Sequence, residues 1–262
     1  MKLINSHYKN RFTKKAISRV LVPFLVIGAS TVIAADQVNQ SYIIENAKTG
    51  KDWPTHGFDY AETRFSPLAQ ISADNVENLG LAWSYNLGSE RGVEATPLVV
   101  DGVMYVSASW SIVHALDAKT GKKLWTYDPE VPGEAGSRGC CDVVNRGVAV
   151  HYGNVYVASY DGRLIAIDAK TGEKVWETNT LPDNGMSYTI TGAPRIVNGN
   201  VIIGNGGAEF GVRGYITAYD AKTGAQKWRW YTVPGNPDEP FENEAMARAA
   251  KTWDPSGKYW EA

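Results

Sequence analysis

Two adjacent cysteines, Cys140-Cys141, are the most unusual residues of this 262-residue sequence. Neighbouring Cα atoms lie about 3.8 Å apart across a trans peptide, closer than the roughly 4.4–6.8 Å of ordinary disulfides. A bond between them closes a small, stiff, flat ring. The plainer reading of the dipeptide is two small buried thiols. Neither a C-x-x-C spacing nor a histidine pair accompanies them, so a metal–thiolate site is poorly supported. The glycine-rich loop before them and the export signal described below favour the disulfide. Glu209 stands in Asn205-Gly206-Gly207-Ala208-Glu209-Phe210-Gly211-Val212-Arg213. Its carboxylate suits a hard cation such as Ca²⁺, but such an ion wants six or more oxygens, and a solvated loop glutamate is the simpler alternative. Arg146, in Val144-Asn145-Arg146-Gly147, has the planar fork that grips a carboxylate through two N–H groups, or it forms a surface ion pair. Glu94 and Thr96 open one extended segment, and Thr191 and Pro194 hold the equivalent place in another; punctuation of strand starts accounts for Thr96. Gly204, Gly206 and Gly207 do not spell G-x-G-x-x-G, and no strand–helix unit surrounds them, so a dinucleotide fold is not supported. The four histidines show no ligand spacing.

The elements that must position these groups come in repeats. Ala115-Leu116-Asp117-Ala118-Lys119-Thr120-Gly121 leads to Trp125. The pattern returns with Asp168, Gly172 and Trp176, and again with Asp220, Gly224 and Trp228, at Asp-to-Asp intervals of 51 and 52 residues. Leu81-Ala82-Trp83-Ser84-Tyr85 reads as the end of an earlier, incomplete copy. Val103-Met104-Tyr105-Val106 and Val155-Tyr156-Val157, rich in valine and tyrosine, read as strands, whose side chains face alternate sides with period two. Asp-Ala-Lys-Thr-Gly is hairpin chemistry: the carboxylate bonds to backbone N–H groups of the turn, and the glycine takes positive φ. Short strands with a period near 50 predict an all-β chain of propeller blades, with a solenoid the weaker option. The repeats also show where they break. Gly102 to Asp117 and Gly153 to Asp168 each take 15 residues, whereas Gly199 to Asp220 takes 21, and the extra residues surround Glu209. Trp125 to Gly153 takes 28 residues against 23 for Trp176 to Gly199, and the longer connector holds the cysteines. Scaffold residues keep the period, so function is expected where it fails.

Residues 1–34 contain six basic and no acidic residues, leaving 20 Lys+Arg against 28 Asp+Glu in the rest. A body that acidic argues against a nucleic-acid partner. Lys14, Lys15 and Arg19 precede the apolar run Val20–Ala29, and small residues close at Ala34-Ala35. That is a secretory signal with cleavage after Ala34 or Ala35. The run is shorter than the roughly 20 residues a bilayer needs, and no later stretch is expected to span a membrane. Periplasmic residence is the expectation, in an oxidising compartment where a disulfide persists.

Together these residues resemble the N-terminal portion of the pyrroloquinoline-quinone-dependent alcohol dehydrogenases of the methanol/ethanol group. The resemblance is carried by Trp53-Pro54-Thr55-His56-Gly57, Thr63-Arg64-Phe65-Ser66-Pro67, Glu94-Ala95-Thr96-Pro97, Gly139-Cys140-Cys141, Asn145-Arg146-Gly147, Thr191-Gly192-Ala193-Pro194 and Gly206-Gly207-Ala208-Glu209, and it runs from about residue 37 to the end. It implies an eight-bladed propeller with the quinone on its axis. The Cys140–Cys141 ring would lie against one face of the cofactor. Glu94, Arg146 and Thr191 would bind its polar edge, and Gly207 and Ala208 would contact it through backbone. Glu209 would ligate the metal, Ca²⁺ or in some members a lanthanide. A primary alcohol would lose hydride to the quinone, with cytochrome c as electron acceptor. The family's aspartate base, asparagine metal ligand and second stacking tryptophan match nothing in these residues. Residues 35–262 are therefore expected to be a partial propeller domain of about three to four blades. No C-x-x-C-H motif for haem c occurs in the sequence. A non-enzymatic, envelope-assembly propeller would explain the tryptophan repeats but neither the cysteine pair nor the glycine-rich insert. A sugar-oxidising quinoprotein tethered by several membrane helices fits neither the single short apolar run nor the cysteine pair.

Overall fold

Each Asp-Ala-Lys-Thr-Gly turn folds as its side chains require. Asp117 Oδ1 accepts from the Lys119 and Thr120 amides and from the Thr120 hydroxyl, at 3.2, 2.7 and 2.7 Å, while Gly121 takes φ 70°. Asp220 repeats this with Lys222 and Thr223. The computed structural model describes residue 35 and residues 37–182, 185–254 and 256. The expected signal, 1–34, lies outside the described residues. Among those described, no helix is long and apolar enough to cross a membrane.

The hairpins belong to three antiparallel four-stranded sheets, each in simple up-and-down order. The first holds β1 (Leu98–Val100), β2 (Val103–Ser107), β3 (Val113–Asp117) and β4 (Lys123–Tyr127). The second holds β5 (Ala149–His151), β6 (Asn154–Ala158), β7 (Arg163–Asp168) and β8 (Lys174–Asn179). The third holds β9 (Arg195–Val197), β10 (Asn200–Gly204), β11 (Tyr215–Asp220) and β12 (Gln226–Tyr231). All three slip register at one place, between Ala115/Leu116, Ala166/Ile167 and Ala218/Tyr219.

The period of two decides how the sheets stack. In β7, Ile165 and Ile167 pack toward the first sheet with Val113, Ala115 and Trp125, whereas Leu164 and Ala166 pack toward the third with Val201, Ile203 and Tyr219. The middle sheet is thus buried on both faces, the stacking of neighbouring propeller blades. A tryptophan pins each stack. Trp125 Nε1 donates to the Ala169 carbonyl at 3.0 Å and Trp176 Nε1 to the Ala221 carbonyl at 3.2 Å. The indole lies flat on the next turn glycine, where an added Cβ would come within 2.8 Å of Trp125 at Gly172 and 2.7 Å of Trp176 at Gly224. Trp83 makes the same two contacts with Ala118 and Gly121. Its own segment forms no sheet among the described residues, and Leu81 is 87% exposed. The incomplete copy therefore keeps its tryptophan dock without a strand ladder.

Two short helices are not announced by the strand pattern. α1 (Gln40–Thr49) is capped by Asn39, buries Ile43 and is tied to the next segment by paired Asn46–Asp52 hydrogen bonds. α2 (Glu244–Ala250) is capped by Asn243.

Candidate functional site

The two irregular connectors meet at one end of the blades. The segments leading into β1, β5 and β9 run side by side there. Thr96 N donates to the Arg146 carbonyl at 3.2 Å and Arg146 N to the Thr191 carbonyl at 2.9 Å. Asn145 fixes this belt from beneath. It is 1% exposed, its Oδ1 accepts from Ser107 Oγ and Gly147 N, and its Nδ2 donates to the Ala158 carbonyl and Ser111 Oγ. A buried amide satisfied on all sides holds its neighbour in one place. That neighbour is Arg146, whose Nη1 donates to Thr191 Oγ1 at 2.5 Å and whose Nη2 lies 2.8 Å from Glu94 Oε2.

Cys140 and Cys141 are joined by a disulfide, with Cα atoms 3.8 Å apart. Cys141 and Asp142 both take φ 69°, a left-handed conformation that L-residues resist. Gly139, just before them, sits where a Cβ would fall 2.4 Å from Tyr160 Oη, a buried hydroxyl without a hydrogen-bond partner. The Asp142 carboxylate accepts from Val143 N at 2.7 Å and contacts Arg91 Nε at 2.5 Å; the amide first, then the guanidinium, hold its carboxyl below the usual range.

The insert between β10 and β11 provides the facing wall. Gly206 bridges to Thr189 in both directions, N→O at 2.7 and 3.4 Å. Gly207 adopts φ 114°, with the Ser187 carbonyl 2.6 Å from where a Cβ would stand, so only glycine fits. A single 3-10 turn, Ala208–Phe210, then presents Glu209 to solvent, with Oε1 3.6 Å from Cys140 Sγ. Cys140, Cys141, Arg146, Thr191, Gly207, Ala208 and Glu209 line one cavity of about 460 Å³. Glu94 reaches this group through Arg146. Thr189, Asn205 and Thr232 also line it and escaped the sequence reading. Asn205 stands inside the insert, which was its one signal. Trp110, which does not fall at the Gly-to-Trp spacing of the repeats, packs with Ala135, Val143 and Tyr160 under the cysteine loop.

The wall suits a planar, anionic ring system. The disulfide ring offers a flat face, Arg146 and Thr191 offer donors for carboxylates and carbonyls, and Gly206 and Gly207 let backbone come close. For a cation it offers the Glu209 carboxylate; no cluster of three or more His, Cys, Asp or Glu occurs among the described residues.

The quinohemoprotein alcohol dehydrogenase of Comamonas testosteroni is 64% identical over 234 residues, which cover 89% of this chain and 33% of that protein. Its crystal structure matches with TM-score 0.86 at 65% identity, covering 87% of this chain and 34% of that one. The 1-butanol dehydrogenase (cytochrome c) of Thauera butanivorans is 66% identical over 209 residues, 80% of this chain and 30% of the relative. A europium-containing methanol dehydrogenase matches with TM-score 0.70 at 41% identity, covering 74% of this chain and 34% of that one. The chain thus spans about a third of the length of the curated relatives it matches. Residues 53–258 match the family described as PQQ: glucose/ethanol/alcohol dehydrogenase, beta-propeller domain. With its stacked sheets, tryptophan docks and vicinal disulfide, the chain belongs to that family of quinoprotein β-propellers.

Proposed function

We propose that these residues form the N-terminal part of a periplasmic enzyme that oxidises primary alcohols to aldehydes with pyrroloquinoline quinone. The observation that carries this reading is the meeting of the vicinal disulfide, Arg146, Thr191 and Glu209 around one cavity. When bound, the quinone supplies the hydride acceptor. The protein's part is to bind and orient. Arg146, fixed by Asn145 below and Thr191 beside it, directs its guanidinium at carboxylate groups; Glu94 balances its charge. The disulfide ring would supply a flat face for the quinone to rest against. Gly207 and Ala208 would meet it through backbone, and Glu209 would hold a hard cation. Calcium is the proposed ion. The europium-containing relative supports a lanthanide as the alternative. Cytochrome c is the proposed acceptor, supported by the name of the Thauera relative. The expected leader supports export, and the buried Ala35, whose carbonyl accepts from Gly153 N at 2.9 Å, supports cleavage after Ala34 rather than Ala35.

The test is reconstitution of the full-length protein with quinone and calcium, followed by dye-linked assay on ethanol and 1-butanol. Quinone-dependent turnover that falls on Arg146→Ala is expected. No quinone uptake with either calcium or a lanthanide would overturn the reading.

A further inference from the structure

One charged pair beside the cavity has no part in the reading above. Arg91 lies in the connector before β1, three residues ahead of Glu94, and Asp142 directly follows the disulfide. Arg91 Nε is 2.5 Å from Asp142 Oδ1, and its guanidinium carbon stands 5.7 Å above the Trp110 ring. The same connector is fastened beneath: Ser109 Oγ donates to the Gly92 carbonyl at 2.9 Å and meets Ser89 Oγ at 2.9 Å. Trp110 N in turn donates to the Val143 carbonyl at 2.9 Å. Asp142 is therefore held by its own following amide, by Arg91, and by a loop pinned at Val143.

This arrangement answers a need. Ring closure by the disulfide sets the backbone of Cys141, but Asp142, the next residue, also stands at φ 69° and on its own would relax toward ordinary backbone angles. Relaxation at Asp142 would swing the attached disulfide ring away from the cavity it now lines. We propose that Arg91 is a positioning residue: by holding the Asp142 carboxylate it keeps the Cys140–Cys141 ring facing the quinone site. The proposal rests on the quinone reading for its purpose, while the clamp itself is a property of this chain. The Arg91 side chain is 51% and the Asp142 side chain 32% exposed, so the pair is open to screening by salt.

The experiment uses the full-length protein and two readouts. The first, on quinone-free protein, is the rate at which dithiothreitol reduces Cys140–Cys141, followed by thiol release. A loosened loop gives the thiolate freer access. Arg91→Gln and Asp142→Asn are each expected to speed reduction about three- to tenfold, as for a charge-assisted pair that is partly exposed. Arg91→Lys keeps the charge and is expected to restore most of the protection. Raising ionic strength from about 0.05 to about 1 M should speed reduction of the unaltered protein and leave Arg91→Gln unmoved, a response that a mere packing role would not give. The second readout is the rate of quinone loss, expected to rise in the same order. Reduction at the unaltered rate in both variants overturns the proposal, and so does a salt response identical in all of them. If Arg91→Gln fails to fold, Arg91→Lys and the salt series on unaltered protein decide by the same criteria. Unaltered protein that takes up no quinone overturns the functional reading, and the reduction rates then judge the clamp by themselves.

Discussion

The cysteine pair and Glu209 sit on backbone that has little freedom to put them elsewhere. Cys140 and Cys141 are bonded, so denatured protein should show no free thiol before reduction and two afterwards, by thiol titration. Two free thiols in freshly exported protein would refute the bond. Glu209 follows Gly207, whose φ of 114° and contact with the Ser187 carbonyl fix where the short turn begins. In the quinone-loaded enzyme, Glu209→Gln should weaken metal binding and turnover together. The loss should reach about 100-fold, since even partners one layer out from a metal cost about 10–100-fold. Calcium titration of activity measures it, and an unchanged midpoint would make Glu209 an ordinary loop residue.

At the scale of elements, the hairpin and its tryptophan are the repeating device, and each can be probed alone. Lys227, together with the Thr223 N–H and hydroxyl, holds the Asp220 carboxyl down to about 2. An unfolded aspartate titrates at about 3.9. The folded-state value is the lower one, so the stabilisation is complete above about 4 and is lost as pH falls toward about 2. Acid unfolding in that window should be shallower in Asp220→Asn than in unaltered protein, as followed by tryptophan fluorescence. Trp125 is 8% exposed and pinned to Ala169, so Trp125→Ala should cost about 3–5 kcal/mol in urea unfolding. These devices were legible in the sequence because a hairpin is local: Asp, Gly and Trp lie within a dozen residues and recur three times. The departures from period were legible for the same reason, and both proved to line one cavity. The linkage of Arg91 with Asp142 was not legible, because it spans 51 residues of sequence and depends on Ser109 fastening the connector. α1 was not legible, since it buries only Ile43 and the polar Asn46, with Tyr42 half-buried against the same core, too thin an apolar stripe to show a helical period.

Over the whole molecule, the three sheets end on a face that stays open among the described residues. Trp228, at the position of Trp125 and Trp176, is 46% exposed, with Trp230 at 43% and Ile216 at 43% beside it. Trp228→Ala should therefore cost well under the about 3–5 kcal/mol expected for Trp125→Ala when these residues are unfolded by themselves. A longer protein in which a further sheet covers Trp228 should bring the two costs together, and equal urea midpoints would establish that cover. The 262 residues expressed alone, with quinone and calcium supplied, should not turn over ethanol in a dye-linked assay. One wall of a cavity aligns a cofactor poorly, and the aspartate base that the resemblance implies, unmatched in these residues, is worth about 10²–10⁴ in rate. Turnover at the level of a complete quinoprotein would send the search for a base back to the acidic residues present. Trp83 adds a constraint of timing rather than of strength. It is docked on Gly121 as its successors are on theirs, yet among the described residues its segment has no ladder beside it. If a ring closes as the resemblance implies, the ladder beside Trp83 would be completed by a strand made after it. Closure would then wait on a long-range pairing, the kind that makes folding slow and leaves strand edges open meanwhile. An early-made segment that must wait for a late-made partner makes the order of synthesis, and not only the final packing, part of what this sequence has to survive.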